Sequence, residues 1–510
     1  MAETKFKDQD YIEKGFKVGF RIGFKGNNVS VIGNNSKSVN ENFSAAEEKI
    51  QNELKLGRIS GPFSNPPYLR FKACPLAIRP KTNGKYRLLH NLSYPYNENA
   101  VNLNIPPDEY KVKFASIQDA LEIIKKSPGA YMAKTDIADA FRIVPINKRD
   151  QHLLGFRFNH QWYFDRCLPM GCSSACKIFE RVSDAIVHIL KVKYNVINIV
   201  KYLDDFIFIT KSKEDCHRAM AVFSHLCNII GVPIAKHKTE GPSTKMIFLG
   251  YHIDTSTMVV SIPANKITQY KENINSFLIQ KQCTLRQLKS MIGKLQFVTN
   301  VVNIGRCFLR RLINLTCGLK HPATIIRLNA GALEDLKLWK KFLACYNGKT
   351  LIKDQIVVSS PSLHFYSDSS KIAYAGVFGR EYISGRFPLA WKKLSIQVLE
   401  LYPIFAMLHL FAHRLSGCSL IFHCDNKSVV YNINAQTSKN RKIMVLLRPM
   451  ILLMLKYKFN MKAVHVAGKE NKLADKISRL QASPDFLRAQ GMNPSPTPLP
   501  KWLKPLSVKI

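Results

Sequence analysis

The chain has 510 residues, 46% hydrophobic and 22% charged, which excludes a disordered polymer and leaves room for several domains. Its 75 Lys and Arg against 36 Asp and Glu give a net charge of +39. The excess is spread along the chain and not gathered in a tail, which favours a polyanionic partner, nucleic acid above all, over a membrane surface. In chain order, residues 1–45 are polar and rich in Asn, Ser, Gly and Lys, and read as a flexible leader. Residues 74–92 read as a hairpin of two apolar runs about an Asn83-Gly84 turn. Asp119–Lys126 is amphipathic, residues 131–158 hold two strands about an acidic junction, and Ser173–Val192 has helical spacing. Residues 197–209 form an apolar hairpin, followed by a helix over Glu214–Ile230. From Pro263 to Leu315 the pattern is helical, with Leu285, Leu288, Ile292 and Leu295 on one stripe ringed by Lys and Arg.

A helical connector follows at 327–348. Strands resume at Leu363 in LHFYSD, YAGVFG and RFPLAW, then come an apolar helix (396–413), a strand (419–424), helices near 426–434 and 441–457, a strand (459–466) and a last helix (471–480). This β-β-β-α-β-α order predicts a separate mixed α/β domain. The Pro-rich end reads as a tail over 483–510. Cys167, Cys172 and Cys176 cluster without a matching His or second Cys pair, so free intracellular thiols are expected in place of zinc. The N-terminus is charged, with no signal peptide. The most apolar helical stretch, Met444–Leu455, is broken by Arg448 and Pro449, so no membrane span is expected.

The residues with most chemical content are Asp204 and Asp205 of YLDDF, two adjacent carboxylates between β-branched and aromatic runs. Like charges so close raise one pKa unless a cation intervenes, and oxygen ligands suit Mg²⁺. Alone, the pair reads equally as a solvated hairpin tip. Asp136 of TDIADAF, at the end of an apolar stretch, could supply a third carboxylate to a two-metal cage for phosphoryl transfer. TDIADAF, LPMGCSSACKIFE, YLDDF, AKHKTEG and FLGYHI occur in the order of the palm motifs of reverse transcriptases, and the upstream RPKTNGKYRLLHNLSYP resembles their fingers. The resemblance implies that Asp136, Asp204 and Asp205 hold metal, and that Phe141 blocks a ribose 2′-hydroxyl. It further implies that Arg87 and Lys81 hold the triphosphate, that Met170 and Gly171 lie beneath the templating pair, and that Lys238, with Lys236 as rival, lies near the pyrophosphate. Many relatives have Gln where Met170 stands, and Met cannot make that polar contact.

A second set of acids comes from separate elements: Asp368 (HFYSDSS), Glu400 (VLELYP), Asp425 (HCDN) and Asp475 (KLADK). Four such acids converge only around cations. Pro403 just after Glu400 predicts a kinked helix. The set resembles ribonuclease H in order and kind, and His465, with Asn471 between it and Asp475, resembles that family's mobile His loop. The resemblance implies hydrolysis of RNA in an RNA–DNA hybrid, with Asp368, Glu400, Asp425 and Asp475 holding metal and His465 assisting proton movement or product release.

The implied fold class is α+β multidomain: a right-hand polymerase followed by a ribonuclease H-like α/β domain. The expected divisions are fingers and palm at 46–260, a helical thumb at 261–325, a connector at 326–358 and the ribonuclease H domain at 359–482. The implied cofactor is Mg²⁺, two per active site, with Mn²⁺ as substitute. The implied partners are an RNA template, a DNA primer, the RNA–DNA hybrid and dNTPs, with no membrane. GPFSNPP, HNLSYP and LPMGCSSACKIFE resemble reverse transcriptases of DIRS-like retrotransposons, which use a tyrosine recombinase; Ty3-like or pararetroviral elements are the alternative. That resemblance adds a separate recombinase and a Gag-like protein as partners. It also implies an intracellular location, in cytoplasm or nucleus, within a ribonucleoprotein or virus-like particle. The competing class is a domesticated, non-catalytic nucleic-acid-binding protein, which would have lost acids; all seven metal-ligand candidates are present.

Overall fold

The computed structural model of the chain describes residues 6–80, 84, 86–345, 350–352, 363–508 and 510. It divides into two compact units, Met1–Val259 and Val260–Ile510.

In the first unit, β-branched and aromatic runs form a four-stranded antiparallel sheet in the order Glu240–Ser243, Tyr131–Asp136, Asp205–Thr210, Ile199–Tyr202. Phe206 and Phe208 are fully buried and meet Phe223 of helix Lys213–Ile229 at ring separations of 5.0 and 5.5 Å. Helix Ala175–Val192 sinks Ile178, Phe179, Val182 and Ile186 into the same core, the spacing of one helix face. A five-stranded sheet runs Val31–Ile32, Lys72–Ala73, Gly155–Phe158, Gln161–Asp165, Ile59–Phe63. Beside it stands the expected hairpin, Leu76–Pro80 against Tyr86–His90; within its turn Lys81 and Asn83 lie outside the described residues.

The leader expected to be flexible is instead built into this unit from residue 6 onward. Phe20 exchanges backbone hydrogen bonds with Pro145 and Asn147, and Ile22 N–H donates 2.8 Å to the buried Asp150 carboxylate. Arg181 lies 4.5 Å over the Tyr11 ring of helix Gln9–Val18. Polar composition misled because a few anchors, Phe20 and Ile22 above all, carry the packing.

In the second unit, the helical run is interrupted: strand Gln282–Thr284 pairs with Ile325–Arg327 between helices Ala264–Gln280 and Leu285–Val298. Thr284 and Gln287 form a capping box that starts the second of these helices, and Leu285, Leu288 and Leu295 are buried as the stripe predicts. Helix Ala330–Cys345 occupies the expected connector; 346–349 and 353–358 lie outside the described residues. A mixed sheet follows in the order Glu381–Arg386, Ala373–Phe378, His364–Ser369, Ser419–Cys424, Asn460–His465, antiparallel over the first three strands and parallel over the last three. RFPLAW is not a strand. The third strand ends at Arg386, and Pro388, with no N–H for a ladder, starts the short helix Leu389–Lys392.

Helix Ile396–Phe411 is buried on nearly every side and stays helical through Pro403. It, and not Met444–Leu455, is the most apolar helix: extended to Arg414, it alone among the described residues is long and apolar enough to cross a membrane, and 72% of that stretch is buried inside the protein. Pro403 leaves the Leu399 carbonyl without its helical donor, and the Ser369 hydroxyl supplies one at 3.1 Å. Arg448 of helix Arg441–Tyr457 pairs with the fully buried Asp335 of helix Ala330–Cys345 and lies 4.8 Å over the Phe308 ring.

The tail is a strap. Helix Pro484–Ala489 buries Leu487, Thr497 N–H donates 2.7 Å to Tyr382 O on the edge strand, and the buried Tyr402 hydroxyl donates 2.9 Å to Leu503 O. Proline enrichment signalled an extended segment; Leu487, Met492 and Leu503, all buried, attach it.

Candidate active sites

Asp136 closes its strand directly opposite Asp205 in the antiparallel register, and Asp205 faces Tyr202 across the Leu203-Asp204 turn. Leu203 has φ 56°, a left-handed conformation costly for a branched side chain, and is held there by packing on the core. Ile137 N–H donates 3.0 Å to Asp204 O, so the turn is tied to the strand bearing Asp136. Sequence-distant carboxylates thus gather at one end of one sheet. Burial and then the charge of Asp136 push the Asp204 carboxyl up. Burial and then the charges of Asp204 and Asp136 push Asp205 up to about 6. Lys238 Nζ sits 2.6 Å from Asp136 Oδ2; burial works against its charge, but the hydrogen bond and charge of Asp136 outweigh it and its pKa rises. Lys236 lines a different cavity with Met220 and Phe223, which leaves Lys238 as the cation at the acids. An all-oxygen donor set under mutual repulsion fits a hard divalent ion.

A cleft of about 1070 Å³ opens on these acids, walled by Arg79, Arg87, Phe141, Met170, Asp204 and Lys238 among others. Arg79 and Arg87 stand directly opposite in the hairpin. Like charges in that position destabilise a sheet, and an anion between them reverses the sign. Sequence reading missed Arg79; the signal was its register with Arg87. Lys81, chosen instead, lies outside the described residues. Phe141, in the helical turn Ala140–Ile143, meets Phe179 edge-on at 5.8 Å. Met170 O accepts 2.8 Å from His90 N–H. Gly171 has φ 126°, and a Cβ there would lie 1.9 Å from His90 O, so only glycine fits.

In the second unit Asp368 lies on the middle strand, Glu400 on the buried helix, Asp425 just past strand Ser419–Cys424 and Asp475 in the first turn of helix Lys472–Ser478. Asp368 accepts from the Ser478 hydroxyl. Burial, offset in part by that bond, and then the charges of Asp425 and Asp475 push its carboxyl up. Burial, then Asp425 and Asp368, push Glu400 up to about 9. Asp425 Oδ1 is buried without a hydrogen-bond partner, which suits a cation ligand. Asp475 Oδ1 accepts 2.7 Å from Arg479 Nε. His465 is exposed at the end of its strand, in register with Cys424. Asn471 Nδ2 donates 2.9 Å to Ser367 O and ties helix Lys472–Ser478 to the strand carrying Asp368.

Glu400, Cys424 and Asp425 are the one group of three or more His, Cys, Asp or Glu among the described residues with ligand atoms all within 4.8 Å of one another. The Cys424 thiol donates to Glu400 Oε2 at 3.6 Å, a neighbour that sequence reading overlooked. All twelve cysteines are free, and Cys167, Cys172 and Cys176 join no such group.

Residues 79–253 match the family model described as reverse transcriptase (RNA-dependent DNA polymerase). The Gag-Pro-Pol polyprotein of Human T-cell leukemia virus 2 is 25% identical over 312 residues, covering 58% of this chain and 19% of the polyprotein. The Transposon Tf2-3 polyprotein of Schizosaccharomyces pombe is 24% identical over 431 residues, covering 80% of this chain and 29% of the polyprotein. The chain therefore spans less than a third of the length of these relatives. The solved structure of a foamy viral protease-reverse transcriptase in complex with RNA/DNA hybrid is similar in fold, with TM-score 0.50 and 15% identity over 87% of this chain and 56% of that one. Residues 79–253 of this chain, which carry Asp136, Asp204 and Asp205, thus match the reverse transcriptase family, set in the mixed α/β multidomain fold that the sequence predicted.

Proposed function

We propose that the chain is an RNA-directed DNA polymerase with ribonuclease H activity. The observation that carries the first half is the register of Asp136 against Asp205, with Asp204 in the turn between strands and a basic cleft above them. Asp136, Asp204 and Asp205 would hold divalent metal, Mg²⁺ or Mn²⁺, two ions to a site, which when bound neutralises charge on the attacking 3′-oxygen and the leaving pyrophosphate. Arg79, Arg87 and Lys238 bind and orient the triphosphate of a dNTP. Phe141 excludes a 2′-hydroxyl by its bulk. Met170 offers the templating pair an apolar contact where a polar one is common.

The second half is supported by the Asp368, Glu400, Asp425 and Asp475 cluster, whose raised carboxyls and unpartnered Asp425 oxygen fit a pair of cations. Its substrate is the RNA strand of the hybrid that the polymerase makes, with the exposed His465 free to meet a departing product. RNA template and DNA primer are the nucleic-acid partners. The element is DIRS-like, with a tyrosine recombinase and a Gag-like protein supplied separately. The enzyme works inside the cell, within a ribonucleoprotein or virus-like particle. In this reading fingers and palm span 46–260, the thumb 261–325, the connector 326–358 and the ribonuclease H domain 359–482.

The test is primer extension on an RNA template with Mg²⁺ and Mn²⁺ compared. Asp204→Asn and Asp205→Asn abolish extension while largely sparing template binding. Unaltered extension by either variant sinks the polymerase assignment.

A further inference from the structure

Behind the cleft lies a charge network that the mechanism above does not use. Asp165 is 4% exposed and accepts on both oxygens. Arg142 Nη1 lies 2.7 Å from Asp165 Oδ1, and His90 Nδ1 lies 3.0 Å from Oδ2. The His90 Nε2 faces Gly155 O at 2.9 Å; a carbonyl only accepts, so that nitrogen carries a hydrogen. Arg142 also pairs with Glu53 Oε2 at 2.7 Å and donates to the carbonyls of Cys167 and Leu168 at 3.2 and 3.4 Å. An arginine held by these four contacts is fixed in all its torsions.

The two partners of Asp165 stand behind different cleft residues, Phe141 and Met170. Arg142 follows Phe141 directly in the same helical turn. His90 holds Met170 by its backbone: its N–H bonds Met170 O, and its carbonyl is the surface that Gly171 must clear. Arg87, His90, Phe141, Arg142 and Met170 line a shared cavity of about 120 Å³. Removing one partner of a buried ionic network leaves an uncompensated charge, so the two partners cannot shift independently at low cost. Burial works against the charge of Asp165, but Arg142 and His90 outweigh it and keep its carboxyl below the usual range.

We propose that Asp165 is a positioning residue for nucleotide selection, which by clamping Arg142 and His90 fixes the spacing between Phe141 and the Met170-Gly171 floor where the sugar of the incoming nucleotide sits. This rests on the polymerase reading of the cleft. Its consequence is a division of labour: the acids set the rate, and the clamp sets which sugar is accepted.

The experiment is steady-state incorporation of a dNTP and the matching rNTP on an RNA template–DNA primer, with the full chain and its Asp165→Asn variant. Asn keeps the shape and removes the charge. KM for the dNTP rises and the preference for dNTP over rNTP falls, each on the order of 10-fold, with kcat nearly unchanged. His90→Gln, which keeps a donor for Gly155 O, shifts both in the same direction and serves if Asp165→Asn folds poorly. Asp150→Asn removes another buried carboxylate, one that holds Arg21 and Ile22 N–H. It lowers the melting temperature but leaves discrimination intact. Wild-type KM and discrimination in both Asp165→Asn and His90→Gln overturn the clamp and leave the polymerase reading standing. Absence of extension by the unaltered chain overturns the polymerase reading and the clamp with it.

Discussion

Crowded carboxylates store repulsion that a cation relieves, and Glu400 carries the largest share. Its value of about 9 lies far above the ordinary one for an unfolded chain, so its contribution to stability is complete below about pH 4 and lost as pH rises through 9. At pH 8 without divalent ions, Glu400→Gln therefore raises the melting temperature, by an amount on the order of a few kcal/mol of stability, while abolishing hybrid cleavage. Thermal scans with and without Mg²⁺ check this: the ion raises the melting temperature of the unaltered chain more than that of the variant. Asp205 behaves alike over a narrower window, complete below about pH 4 and lost through about 6. These acids were legible in the sequence because each breaks an apolar run at a strand end or on a buried helix. Asp165, His90 and Arg142 were not, because their pairing joins residues up to 75 positions apart and no local pattern announces it. Arg79 falls between: alternation in a hairpin sets it opposite Arg87, but the turn residue Lys81 drew the eye first.

At the scale of elements, the docking of helix Ile396–Phe411 on strand His364–Ser369 turns on one proline. Pro403 predicted a kink; the helical assignment runs on through it, and the Ser369 hydroxyl donates to Leu399 O in place of the missing N–H. Ser369 follows Asp368 and Leu399 precedes Glu400, so this bond also sets the spacing of two acids. Ser369→Ala leaves that carbonyl unsatisfied and costs about 1–3 kcal/mol in chemical denaturation. Hybrid cleavage falls more than primer extension; equal losses in both would contradict the spacing role. Helix and strand positions were readable from periodicity, and the errors fell where tertiary partners decide. Gln282–Thr284 is a strand only because Ile325–Arg327 lies beside it, and the leader is ordered only because Asp150 and Pro145 receive it.

At the scale of the whole molecule, the two acid clusters belong to different units, so the two proposed activities should separate. Asp425→Asn removes hybrid cleavage and leaves extension, and Asp204→Asn does the reverse; joint loss in either variant would argue against two sites. The charge of +39 predicts that template affinity falls steeply and log-linearly with salt, as filter binding across a salt series would display. The strap over residues 484–508 has a consequence of another kind. Asn493 and Thr497 N–H groups occupy carbonyls of Arg380 and Tyr382 along the outer side of strand Glu381–Arg386, the open border of the mixed sheet. A chain cut after Ser483 would present that border to its own copies, and unprotected sheet borders join. Such a truncated protein should form concentration-dependent oligomers in light scattering, with the remaining fold intact, through the border that the strap covers.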